Sequence, residues 1–224
     1  MRPEEAEWIG RWLSKARDIS PLIELGSSTR RFRTVDKPHI DSFIHAPLRD
    51  QGVKIVHTDL KAGDGIDISG NIYDPEVRAK LKAVAARCVL CCNIFEHVAD
   101  REGFATICDD ILLPGGQMIV SVPHSYPYHP DPIDTYYRPR PADIACLFPG
   151  YSTLDAKSLK CGSYWADLEG GAAEIVTTIV RSAILRGGVE ASKARIHRLL
   201  WLFRHYQVSV VVLKKPGQGA GGAV

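Results

Sequence analysis

The chain has no long apolar run. Its longest, such as Val208 to Leu213, fall far short of the ~20 residues that a membrane-spanning helix needs, so none is expected. The opening MRPEEAEWIGRW is charged where a secretion signal requires its apolar core. Cysteine is scarce: six in 224 residues is too few for a disulfide scaffold. Cys88, Cys91 and Cys92 also fall in a strand-like apolar run, where adjacent side chains point to opposite faces. Buried structural thiols in a reducing cytoplasm are therefore expected, not half of a zinc site. Neither sign of charge dominates, with 28 Lys and Arg against 26 Asp and Glu. That balance gives no reason to expect a nucleic acid or an anionic membrane as partner. Internal repeats and linkers are missing too, which points to a single domain over residues 1–215 and a disordered tail at 216–224, GQGAGGAV included.

What remains is an ordinary globular composition, 45% hydrophobic and 24% charged, ample for one packed core. Residues 4–16 predict an amphipathic helix, with Ala6, Ile9, Leu13 and Ala16 on one face. PLIEL is a short strand ending in a glycine and three hydroxyl residues. The stretch from there to Gly52 has too little periodicity for any assignment. VKIVHTDL and GIDISGNI read as further strands, and Asp74-Pro75 as a helix start with a capping carboxylate. RCVLCCNIF is apolar enough for a strand buried on both faces. A helix marked by Phe104, Ile107, Cys108 and Ile111 follows, and LLPGG turns it into the strand QMIVSV. Residues 172–186 and 190–205 look helical, and QVSVVVLKK closes the chain as a strand. This alternation predicts an α/β fold: a doubly wound, mostly parallel sheet with helices on both faces.

In such sheets ligands bind beyond the carboxyl ends of the strands, where strand order reverses. The first strand ends Glu24-Leu25-Gly26-Ser27, where a glycine permits close backbone approach and the amides after it can receive an anionic group. The second ends in Asp59, an acceptor for ribose hydroxyls. The third ends near Asn71, whose amide can read an adenine edge. The fourth runs into Asn93-Ile94-Phe95-Glu96-His97-Val98. A dinucleotide site is disfavoured because the first turn lacks G-x-G-x-x-G.

With its acid-x-Gly turn, NIFEHV and LLPGG at these spacings, the chain resembles the class I S-adenosylmethionine-dependent methyltransferases, in a branch like methyltransferase type 11. Ser28 and Arg30 stand where that first motif carries further glycines. The resemblance covers roughly residues 20–125 and implies a seven-stranded, Rossmann-like sheet with S-adenosylmethionine as cofactor. It sets the Gly26 loop at the methionine part, Asp59 near ribose and Asn71 near adenine. Glu24, Ser27 and the segment from Asn93 to His97 complete the cofactor pocket. The activity implied is methyl transfer to a small-molecule or glycan-like hydroxyl; a catalytically silent binding module is the alternative.

A hydroxyl acceptor needs a base, and histidine titrates near neutrality. His97, His124 and His129 lie near the mouth of the pocket, and His129 or His124 is expected to contact the acceptor. The segment 123–138 should overhang the pocket, with Tyr126, Tyr128, Tyr136 and Tyr137 shaping a substrate surface. His124, His129, Asp131 and Asp134 match a divalent ion by ligand type alone, but no metal is expected. The basic face around Lys193, Arg195, Arg198 and Arg204 reads as a solvated helix surface.

Overall fold

Strand β4 (Ala86–Cys92) has the sequence ARCVLCC, and Cys88, Val89, Leu90 and Cys91 are completely buried. A strand of this kind belongs inside a sheet that helices cover on both faces. The computed structural model describes residues 1–127, 133–168, 175–177, 180, 197, 199 and 201–217. There β4 lies at the centre of a seven-stranded sheet ordered β3-β2-β1-β4-β5-β7-β6. The other strands are β1 (Leu22–Leu25), β2 (Ile55–Asp59), β3 (Ile68–Ser69), β5 (Leu112–Ser125), β6 (Ser152–Ser163) and β7 (His205–Lys214). β1 to β5 pair in parallel, whereas β7 runs antiparallel to β5 and to β6. The expected doubly wound, mostly parallel sheet is the one observed.

Alternation along the strands builds two cores. Ile23, Leu25, Val89, Cys91, Met118 and Val120 point to one face, where α4 (Pro75–Ala83) and α5 (Arg101–Ile111) pack. Leu22, Cys88, Leu90 and Ile119 point to the other, against Ala6, Ile9 and Leu13 of α1 (Pro3–Leu13). Side chains that alternate in this way make each strand serve both cores. α1 ends at Leu13, short of Ala16, although Ala16 still packs against the same cluster.

Residues 32–50, left unassigned on periodicity, are helical throughout most of their length. Wide i→i+5 turns at Phe32–Asp36 and Asp41–His45 enclose α2 (Pro38–Ile40), and α3 (Ala46–Asp50) follows. Ile40, Ile44 and Leu48, four residues apart, are its buried face. α1 lies so close to this segment that a Cβ at Gly10 would stand 2.0 Å from the Phe43 carbonyl oxygen.

Other expectations need correction. Asp74 occupies the residue before α4, but its carboxylate makes no capping hydrogen bond. LLPGG is not a free turn: Leu112 pairs with Ala86 and opens β5 ahead of a register irregularity. β6, not anticipated, is exposed along most of its length. α6 (Pro141–Ala145) and α7 (Tyr164–Asp167) flank it. The expected helices at 172–186 and 190–205 lie mostly outside the described residues. The second does not reach residue 205, since Trp201 to Arg204 form a turn and His205 begins β7. The stretch 218–224 also lies outside. All six cysteines are free, and burial pushes the Cys88 thiol up to about 12. Among the described residues no helix is long and apolar enough to cross a membrane.

Candidate active site

Strand order reverses between β1 and β4, and the loops leaving those strands part to form a cavity of about 600 Å³. Glu24, Gly26, Ser27, Asp59, Asn71 and Asn93 all line it, as does His97. The tips of four strands thus converge on one hollow. Opposite the polar tips, Ile68, Ile72, Val77, Leu81 and Phe104 form an apolar wall. Its size and its division into polar rim and apolar wall suit a small cofactor with an aromatic base.

The turn after β1 is held by its neighbours. Gly26 and Ser28 both have left-handed backbones, with φ of +65° and +57°. The Ser28 amide donates to Asp59 Oδ2 at 2.9 Å, and the other Asp59 oxygen accepts from the Lys61 amide at 3.1 Å. Arg33, buried on the helical segment, donates to the Ser28 carbonyl, to Ser27 Oγ and to the Gly65 carbonyl. A side chain at Gly26 would meet Ile94 at 3.0 Å, so the turn packs tightly on the loop after β4.

Glu24 is buried, and its Oε2 lies 2.8 Å from His57 Nδ1 and 3.0 Å from His45 Nε2. Burial by itself would raise the Glu24 carboxyl. The close approach of His45 and His57 outweighs that and holds it at about 2. Glu24 and His57 are register partners in the β1–β2 pair. Sequence reading passed over His45, His57 and Arg33. One signal was present: His57 precedes Asp59 by two residues as Glu24 precedes Gly26, which sets the two side by side on parallel strands.

A second cavity of about 470 Å³ adjoins the first, sharing Met1, Asn93 and His97. Tyr126, Tyr164 and Tyr206 line it, together with Glu96. Glu96 is fully buried, and neither carboxylate oxygen accepts a hydrogen bond from another described residue. His97 Nε2 lies 3.7 Å from Glu96 Oε1. Burial pushes the Glu96 carboxyl up to about 8. Glu5 of α1 secures the same corner, accepting from Asn93 Nδ2 at 2.9 Å and from Ser121 Oγ at 2.5 Å.

The three expected catalytic histidines fare differently. His97 lines both cavities, and its Nδ1 hydrogen-bonds the Ile133 carbonyl. His124 lines neither cavity: its Nδ1 lies 2.9 Å from the Pro139 carbonyl, where it braces the returning loop. His129, Tyr128 and Asp131 lie outside the described residues. Asp134 is bound by Arg138 at 2.6 and 3.0 Å and fixes loop shape. Asn93 Nδ2 donates to Glu5, and the residue holds a left-handed backbone, φ +55°.

Sheet order, the antiparallel β7 and the crevice at the strand reversal define the class I S-adenosylmethionine-dependent methyltransferase fold. No family model and no curated protein matches the chain. Solved structures do. A Galdieria sulphuraria protein assigned as a sarcosine dimethylglycine methyltransferase superposes with a TM-score of 0.50 at 13% identity, covering 95% of this chain and 85% of its own. Coclaurine N-methyltransferase, solved with N-methylheliamine and SAH, gives 0.52 at 11% identity, covering 94% and 72%. At such identities the likeness speaks for the fold.

Proposed function

We propose that the protein transfers a methyl group from S-adenosylmethionine to a small-molecule acceptor held in the second cavity, with Glu96 as the base. The observation that carries this reading is a buried carboxyl without a hydrogen-bond partner, lining the cavity that adjoins the strand-tip hollow. We assign the first cavity to the cofactor, with Asp59 and Asn71, which line it, facing the sugar and base and the Gly26 turn facing the methionine part. The cofactor supplies an electrophilic methyl on a sulfonium. The protein's share is alignment of the acceptor and removal of its proton.

The favoured acceptor is a hydroxyl on a compact, sugar-like ring. Tyr126, Tyr164 and Tyr206 give that cavity aromatic surface and hydroxyl groups at once. Glu96 would accept the proton that the acceptor hydroxyl gives up as it takes the cofactor's methyl group. An amine acceptor is the second reading, because neither Glu96 oxygen accepts a hydrogen bond from another described residue and an amine N–H can donate one. Coclaurine N-methyltransferase, by its name, acts on nitrogen.

Calorimetry with S-adenosylhomocysteine, followed by a labelled-methyl assay over sugar alcohols and amines, tests the proposal. Micromolar binding with turnover is expected. Absence of binding would leave the silent-module alternative in its place. Glu96→Gln should bind S-adenosylhomocysteine as the parent does while kcat falls by roughly 10²–10⁴. The base must be ionised, so parental kcat/KM should rise with pH and level off above about 8, and that rise should vanish in the variant.

A further inference from the structure

Glu24, His45 and His57 come from three separate elements: β1, the wide turn Asp41–His45 and β2. One ligand atom from each lies within 4.8 Å of the other two. We propose that these three side chains bind one divalent transition-metal ion of the zinc class. The proposal is independent of the methyltransferase reading, because it rests on the cluster alone.

Two imidazoles and a carboxylate suit zinc, cobalt or nickel, whereas magnesium and calcium favour sites built from oxygen. Metal–ligand bonds of about 2.0–2.2 Å require ligand atoms roughly 3–3.5 Å apart; the two distances to Glu24 Oε2 are 3.0 and 2.8 Å and all three atoms lie within 4.8 Å, so binding would draw the two imidazoles together around the ion. The imidazole rings meet edge to face with centroids 4.9 Å apart, so each restrains the other's rotation. His45 supplies the second, separate observation. It is 1% exposed, and its Nε2 makes no aligned hydrogen bond to any described residue although Glu24 Oε2 is only 3.0 Å away.

An outer layer orients the ligands, as is usual around metal-bound histidine. Asp41 Oδ1 lies 3.9 Å from His45 Nδ1, and Arg49 holds Asp41 by two contacts of 2.8 and 3.3 Å. The backbone amide of His57 donates to Asp67 Oδ2 at 2.8 Å, which fixes the strand carrying the third ligand.

The test is titration of chelator-treated full-length protein with Co²⁺ and Zn²⁺, followed by cobalt absorption and calorimetry. One equivalent should bind, with visible bands from a low-symmetry nitrogen–oxygen site, and Zn²⁺ should displace the cobalt. His57→Gln and Glu24→Gln should each weaken binding by about 100-fold or more, the scale at or above that seen for supporting residues. His39→Gln, outside the cluster, should bind as the parent does. Circular dichroism separates a folded variant from an unfolded one, and His57, half-buried, is the substitution most easily tolerated. Lack of saturable binding overturns the proposal, as does one-equivalent binding that survives both substitutions. Either result would make the cluster a hydrogen-bonded brace for Glu24.

Discussion

Ser28 holds a left-handed backbone, which L-residues other than glycine adopt at a cost of about 1–2 kcal/mol. Two side chains secure it: Asp59 accepts its amide and Arg33 donates to its carbonyl. The sequence showed a glycine-poor first turn. It could not show that a carboxylate from β2 and a buried arginine hold a serine in the glycine's conformation. Glu24, Gly26, Asp59 and Asn71 were legible because each closes a recognisable strand. Glu96 stood within a recognised phrase, yet its importance lies in burial without a hydrogen-bond partner among the described residues, which depends on distant walls. That burial has a consequence in the folded protein. Glu96 keeps its proton up to about pH 8, while the unfolded chain releases it near the ordinary 4.5. The native state therefore binds more protons across that interval, and stability contributed at this site falls as pH rises from about 4.5 to 8. Glu96→Gln should flatten that fall, giving a melting temperature above the parent's at pH 8 by a margin that shrinks towards pH 5. An equal difference at both pH values would mean Glu96 is not held protonated.

At the level of elements, legibility followed periodicity. β4 and β5 were evident because strands buried on both faces must be apolar throughout. β6 escaped notice because it lies at the sheet edge, with only Leu159, Cys161 and Ser163 buried. The segment 32–50 escaped because Pro38 and the wide turns break the helical period, even though Ile40, Ile44 and Leu48 keep a spacing of four. That segment carries Arg33 and His45, so missing it concealed the arginine that holds the turn after β1 and one of the two imidazoles beside Glu24. Its docking on α1 depends on one residue without a side chain. A methyl at Gly10 would collide with the Phe43 backbone carbonyl, which cannot rotate aside. Gly10→Ala gains about 1 kcal/mol of helix propensity in isolation, but overpacking here should reverse that and destabilise the protein by roughly 1–3 kcal/mol. Chemical denaturation measures the balance. A more stable variant would show that the two elements separate easily.

Across the whole molecule, the cluster at Glu24 and the cofactor cavity share a residue, so their occupants act on one another. Glu24 lines the hollow in which the methionine part of S-adenosylmethionine is proposed to lie. A divalent ion on Glu24, His45 and His57 adds two positive charges beside it. S-adenosylmethionine carries a sulfonium that S-adenosylhomocysteine lacks, so the ion should oppose the methylated form more strongly. A coupling of about 1.4 kcal/mol, within the range usual between sites, corresponds to roughly a tenfold loss of S-adenosylmethionine affinity. S-adenosylhomocysteine should lose less. Because coupling is reciprocal, S-adenosylmethionine should weaken zinc binding by the same factor. Calorimetry of each cofactor with and without zinc, at a fixed ionic strength, measures both arms. Equal losses for the two cofactors would show that the ion acts by displacing the β1 turn and not through its charge. Unchanged affinities alongside proven zinc binding would show that Glu24 turns its carboxylate away from the cofactor altogether.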